Sequence, residues 1–194
     1  MENKSIRLAL LVPGGAVIAF GLGALSLVAA GEVNMAKLHV DSFTVMGIEA
    51  RTSNAREMSG DGPIGKLWAR LQSEDFLSRI PDRADSRVVA LYTDYETDKD
   101  GPYTYVLGTK VSSTKDIPPG MVARKVDSGT YATFSAQGRP PAQMVVDLWK
   151  QIWSLEKPDQ IHRAYKTDFE IYDGGPADPS KAHVTIYVGL KAGH

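Results

Sequence analysis

Two stretches of the chain carry apolar residues at helical spacing. Ile64, Leu67, Trp68 and Leu71 fall at i, i+3, i+4 and i+7, and Val145, Leu148, Trp149 and Ile152 repeat the stripe with a Trp in the same slot. Prolines bracket both stretches. Pro63 stands at the start of the first, Pro140 and Pro141 precede the second, and Pro81 and Pro158 lie beyond their ends. The rest of the pattern is extended: residues 39–51, 86–96, 103–111, 122–135, 162–172 and 183–190 are rich in β-branched and aromatic residues. Asp100-Gly101 predicts a tight hairpin between the second and third of these, and a longer Gly/Pro/Asp-rich loop joins the last two.

The two halves match in order. Val40-Asp41-Ser42 recurs as Val126-Asp127-Ser128, Thr93-Asp94-Tyr95-Glu96 as Thr167-Asp168-Phe169-Glu170, and Tyr105-Val106 as Tyr187-Val188. With the paired Trp68 and Trp149, this predicts an α+β domain of two pseudo-symmetric β-α-β-β repeats, residues 38–115 and 121–191, around a central ligand cleft. Ile117-Pro118-Pro119-Gly120 forms the joint. In this reading Glu96 is the counterpart of Glu170.

Strand alternation assigns faces. On the penultimate strand Tyr165, Thr167, Phe169 and Ile171 share one side, expected to pack under a helix, and Lys166, Asp168, Glu170 and Tyr172 share the other. On the last strand Val184, Ile186, Val188 and Leu190 point inward, with Thr185 and Tyr187 outward. In the first half Tyr92, Asp94 and Glu96 fall on the polar side, with Tyr103 and Tyr105 across the hairpin. This face is either an aromatic-walled cleft holding carboxylates or a solvated sheet surface. Trp68 and Trp149 belong to the apolar stripes and are expected in the core. Trp153 lies off the stripe's centre and is the better pocket residue.

Residues 1–34 stand apart. Leu8 to Ala30 is a run of 23 residues without a charge, preceded by Lys4 and Arg7. As a helix it would reach about 34 Å at ~1.5 Å per residue, enough for a bilayer core of roughly 30 Å. It reads as an anchor or a signal segment ending at Val28-Ala29-Ala30, with the globular domain, residues 35–194, held at a membrane or exported. Translation from Met35 would instead leave the domain cytoplasmic.

Composition narrows the chemistry. The 22 basic and 23 acidic residues give a net charge of -1, unlike a nucleic-acid binder. Without cysteine there are no disulfides and no thiolate chemistry. The four histidines lack ligand spacing, and neither a phosphate loop nor a Gly-x-Ser-x-Gly elbow occurs, so no metal, cofactor or covalent nucleophile is expected.

Ser128-Gly129-Thr130-Tyr131-Ala132-Thr133-Phe134 through Gly138, then Leu148-Trp149 to Trp153, then Phe169-Glu170-Ile171-Tyr172, resemble the GyrI-like effector-binding family. Gly47-Ile48-Glu49-Ala50-Arg51-Thr52-Ser53-Asn54 is similar to its usual opening. The family includes ligand domains of AraC-type and MerR-type multidrug regulators and stand-alone integron-cassette proteins. The resemblance implies a cleft for amphipathic, often cationic, aromatic molecules. It places the family's buried glutamate at Glu170 and its aromatic walls at Tyr131, Trp153 and Tyr187. Periodicity adds Tyr105 and Tyr172. Some members are hydrolases of strained electrophiles that use a pocket Glu and Tyr, and the chain carries no DNA-binding module before the domain.

The expected function is therefore binding of a small organic ligand, cationic or aromatic. Two alternatives stand beside it: hydrolysis by Glu170 with Tyr131 or Tyr187, and inhibition through protein binding. No nucleic-acid partner is expected, membrane contact would run through residues 8–30, and the sequence does not specify an oligomeric state.

Overall fold

The elements follow from the alternating and helical patterns, with two strands divided by short turns. The computed structural model describes residues 35–73, 76–137, 141–173 and 183–193. Among them the order is β1 (Ala36–Val40), β2 (Phe43–Thr52), α1 (Asn54–Met58), α2 (Ile64–Ser73), a 3₁₀ turn (Phe76–Arg79), β3 (Val88–Thr93), β4 (Tyr103–Val111), β5 (Val122–Val126), β6 (Gly129–Gln137), α3 (Pro141–Glu156), β7 (Arg163–Asp173) and β8 (His183–Leu190). The two longer extended stretches each break at an Asp-Ser pair: Asp41-Ser42 separates β1 from β2, and Asp127-Ser128 separates β5 from β6. The hydrophobic run at 8–30 lies outside the described residues. Among those described, no helix is long and apolar enough to cross a membrane.

The eight strands form one sheet in the order β1-β6-β8-β7-β3-β4-β2-β5, antiparallel at every pairing. The chain is thus α+β with a large antiparallel sheet. From the central β7–β3 pair outward, each side runs hairpin, inner strand, edge strand. The edge strands are exchanged: β1 from the start of the chain pairs with β6, and β5 from the middle pairs with β2. Gly47 and Gly108 face each other in the β2–β4 ladder. A Cβ on Gly108 would stand 1.9 Å from the Met46 carbonyl oxygen, so the two strands approach where neither glycine carries a side chain.

α2 and α3 cover one face. Leu67 of α2 and Met144, Leu148, Trp149 and Ile152 of α3 are buried in one cluster with Met46, Ile48, Ala90, Tyr92, Tyr103, Tyr105, Leu107, Phe134, Ile186 and Val188. Pro63 ends the turn before α2, and its carbonyl accepts the first helical N–H bonds from Lys66 and Leu67. Pro141 opens α3, where its missing N–H costs nothing. The opposite face of the sheet carries a smaller cluster of Val45, Val89, Leu91, Val106, Val126, Tyr131 and Phe169.

This corrects the face assignment on β7. Phe169 belongs to the cluster away from the helices, while Glu170 is 1% exposed on the helix-covered side. Both faces of the central strands are apolar, so alternation alone did not say which one the helices choose. A bulge adds to the difficulty. Arg163 pairs with Leu190 and Asp168 with Val188, so residues 164–167 loop out opposite Gly189, and Tyr165 takes a positive φ of 52°. Glu96 is corrected as well. It lies past the end of β3, exposed and bonded to Arg51 at 2.6 Å, whereas Glu170 sits within β7 opposite Ala90.

Candidate functional site

The helix-covered face holds a carboxylate enclosed by aromatic donors. Glu170 Oε1 accepts the Tyr92 hydroxyl at 2.7 Å and the Trp149 indole N–H at 2.7 Å, and its Oε2 accepts the Tyr172 hydroxyl at 2.6 Å. Each donor comes from a different packing relationship. Tyr92 stands on β3, which pairs with β7. Tyr172 is on β7, one alternation step from Glu170, and Trp149 hangs from α3 above. Trp68 of α2 donates to the Tyr105 hydroxyl at 3.0 Å and lies edge-on to Tyr172 at 4.9 Å between ring centroids.

A row of rings continues from this point. Tyr92 is 5.1 Å from Tyr105, 5.4 Å from Tyr103 and 5.2 Å from Trp149, centroid to centroid. The Tyr105 and Trp149 contacts are edge-to-face and set the positive ring edge against the negative ring face, while Tyr103 is tilted.

Electrostatically the glutamate is incomplete. Burial pushes its pKa up, and the hydrogen bonds from Tyr172, Trp149 and Tyr92 oppose that shift without cancelling it. Among the described residues no ion pair compensates it. Burial, and then the Glu170 charge, hold the hydroxyls of Tyr92, Tyr105 and Tyr172 well above the ordinary tyrosine range, so they stay protonated and Tyr92 and Tyr172 serve as donors to the carboxylate.

Of the residues singled out in the sequence, Glu170, Tyr172, Tyr105 and Trp153 lie on this side. Trp153 is half-buried on α3, tilted against Trp149 with 6.3 Å between ring centroids. Tyr131 and Tyr187 lie on the other face, both against Phe169: Tyr131 at 5.2 Å and Tyr187 stacked at 4.5 Å. The structure does not bring those two to Glu170. Tyr92, Tyr103, Trp68 and Trp149 take their place. Tyr92 and Tyr103 were legible, because alternation already put them on the Glu170 side. The indole donors were not, because a Trp in an apolar stripe shows its ring and conceals its N–H.

Comparison with known proteins agrees with the fold. The GyrI-like small molecule binding domain matches residues 34–191. YobU of Bacillus subtilis (strain 168), named as a candidate transcriptional regulator, is 35% identical over 155 residues, covering 79% of this chain and 95% of YobU. The integron cassette protein VCH_CASS2, from the mobile metagenome of Vibrio cholerae, is 33% identical with a TM-score of 0.66, over 81% of this chain and 95% of that one. SAV2435, solved bound to tetraphenylphosphonium, shares the fold at 19% identity and a TM-score of 0.65, over 81% of this chain and 94% of its own. A matching domain that spans nearly all the described residues, together with relatives aligned over almost their whole length, places this chain in the GyrI-like small molecule binding domain family.

Proposed function

We propose that this chain binds amphipathic organic cations between its helices and its sheet, with Glu170 as the anionic determinant. The observation that carries the reading is a buried carboxylate with three hydrogen-bond donors and no compensating charge among the described residues. A cation seated there supplies the missing charge, and the rings of Tyr92, Tyr105 and Trp149 add cation–π attraction of roughly 0.5–2 kcal/mol each. A neutral molecule of the same shape gains only the stacking. Tetraphenylphosphonium, found on SAV2435, is a ligand of this chemistry and supports the choice of class.

Glu170 is only 1% exposed beneath the helices, so binding requires Trp68 or Trp149 to give way, and the apparent affinity is reduced accordingly. Tyr172 and Tyr105, with Trp153 at the margin, form the inner wall in this reading, while Tyr131 and Tyr187 serve the second face. We further propose that the two halves are copies related by a twofold. The mirrored strand order and the two Asp-Ser turns support this, although Glu96 and Glu170 occupy different strand positions.

Calorimetric titration of the full chain with tetraphenylphosphonium and with neutral triphenylphosphine oxide tests the proposal. Preference for the cation, growing as pH rises and Glu170 ionises, is the expected result, and equal affinity overturns it. A hydrolytic alternative rests on the same contacts, because a carboxyl group bonded to two tyrosine hydroxyls is an acid–base arrangement. Turnover of a strained electrophile such as an epoxide or cyclopropane would favour it. Residues 8–30 are proposed to anchor the domain at a membrane, which cell fractionation with and without that run decides.

A further inference from the structure

The far end of the tyrosine row carries a second carboxylate that the Glu170 reading does not use. Thr52, the last residue of β2, is the cross-strand partner of Tyr103, so their side chains share a face. The Thr52 hydroxyl donates to Glu57 Oε1 at 2.5 Å. Glu57 reaches back from α1, whose N-cap Ser53 side chain accepts from the Arg56 N–H. Gly62 packs directly on the carboxylate: a Cβ there would stand 2.0 Å from Glu57 Oε2. The connection between α1 and α2 therefore leaves room for this group at a place where any larger residue would crowd it.

Tyr103 links the two ends. It is buried at 2% exposure, its hydroxyl donates to Asn54 Oδ1 at 3.0 Å, and Asn54 is fixed in turn by the Lys99 carbonyl at 2.8 Å. Its ring is 5.4 Å from Tyr92, whose hydroxyl binds Glu170. Burial first, then the charges of Glu57 and Glu170, raise the Tyr103 hydroxyl above the ordinary range. One carboxylate is buried and the other half-exposed. Three strand spacings of ~4.8 Å and a four-residue offset at ~3.3 Å per residue put Glu170 and Thr52, the partner of Glu57, roughly 20 Å apart between backbones.

We infer that the site selects elongated dications, with one cationic end at Glu170, the other at Glu57, and an apolar bridge along Tyr92 and Tyr103. The inference rests on the Glu170 reading and adds Glu57 as a specificity-determining residue.

The test is calorimetric titration of the full chain with α,ω-bis(trimethylammonium) alkanes from the butane to the dodecane bridge. Each is set against the singly charged alkyltrimethylammonium of equal length, with tetraphenylphosphonium as the compact reference. The unmodified protein should prefer dications over their matched monocations, most strongly at the longer bridges. Glu57→Gln keeps the Thr52 hydrogen bond but removes the charge. It should cost the long dications roughly two- to fivefold in affinity, the usual scale for a partly exposed pair, and leave tetraphenylphosphonium unchanged. Gly62→Ala, which pushes the carboxylate from its seat, should reproduce that selective loss without removing a charge. Equal binding of dications and matched monocations overturns the inference, as does an equal loss for all ligands in Glu57→Gln, which would make Glu57 a structural residue of α1. Failure of tetraphenylphosphonium to bind the unmodified protein is the separate outcome that removes the Glu170 reading itself.

Discussion

Asp168 and Glu170 stand on one strand, on the same face, and are satisfied in opposite ways. Asp168 is fully buried and meets the Arg163 guanidinium at 2.6 Å, the Tyr95 hydroxyl at 2.7 Å and the Gly189 N–H at 2.8 Å. Arg163 also binds Glu156 at 2.9 Å and lies over the rings of Tyr165, at 4.3 Å, and Trp149, at 5.4 Å. Burial opposes the guanidinium charge, but Asp168, Tyr95, Tyr165 and Glu156 together more than offset the cost and hold Arg163 above its ordinary range. The Asp168 carboxylate also replaces the ladder bond that the bulge at 164–167 removes from Gly189. Glu170 has as many donors, all of them neutral. Hydrogen-bond satisfaction and charge compensation are thus separate properties. The bulge needs both in order to hold its shape, and only the site that lacks the second offers a cation something to gain.

The comparison breaks most easily at Arg163. Arg163→Met keeps the length of the side chain and leaves Asp168 buried and Glu156 half-buried without their cation. It should cost about 3–5 kcal/mol in urea denaturation, the range for splitting a buried pair. Glu170→Gln, measured beside it at neutral pH, should not destabilise, because Gln accepts from Tyr92 and Trp149 while its amide N–H donates to Tyr172. Equal losses would mean that both carboxylates are structural.

Ligand binding reverses the ranking. Glu170→Gln should weaken tetraphenylphosphonium by roughly 2–4 kcal/mol, as expected when one member of a partly desolvated ion pair loses its charge. Triphenylphosphine oxide should change by less than about 0.5 kcal/mol, because the rings remain. Calorimetry on both ligands decides between a charge role and a packing role.

The two indoles make a smaller version of the same contrast. Trp149 donates to a carboxylate and Trp68 to a neutral hydroxyl. Trp149→Phe should therefore cost about 1.5–3 kcal/mol from the lost bond and Trp68→Phe about 0.5–1.5 kcal/mol. Thermal melts of the two variants rank them, and a reversed order would argue that Glu170 is protonated at the pH of the melt.

Much of this was legible in the sequence. β4 and β8 begin and end where the alternating pattern does, and the stripe through Ile64 and Leu71 lies within α2. Glu170 was singled out by its strand position and by resemblance. What alternation could not give was the phase between sheet face and helix, since Phe169 and Glu170 each have a buried layer to enter. Tyr187 was drawn to the site partly for that reason and Tyr131 by resemblance alone, and both pack against Phe169. Local similarity also misled at Glu96, where the chain leaves β3 after Thr93 and Asp94 turns at a φ of 51°. The Arg163 network was invisible because it depends on the bulge, and the sequence Ala164-Tyr165-Lys166-Thr167 carries no glycine to announce one.

The smallest expected effect is the pH dependence of stability, and its sign follows from the same uncompensated charge. Burial raises Glu170 above the ordinary glutamate value of 4.5 in the folded protein. Between 4.5 and that raised value the native state holds a proton that the unfolded chain has lost. The stability linked to this proton is fully present below 4.5 and is lost as pH rises through the folded value. Gln does not titrate, so Glu170→Gln should lack that decline. The difference in unfolding free energy, variant minus unmodified protein, should therefore grow from about pH 4 toward neutrality and then level off. Saturating tetraphenylphosphonium should remove the decline from the unmodified protein, because a bound cation favours the ionised carboxylate, and should leave the variant's profile nearly unchanged. Urea denaturation across that range, with and without the cation, provides the measurement. A flat difference would show that the three donors from Tyr92, Trp149 and Tyr172 already compensate the buried charge, and Glu170 would then join Asp168 as a completed structural group.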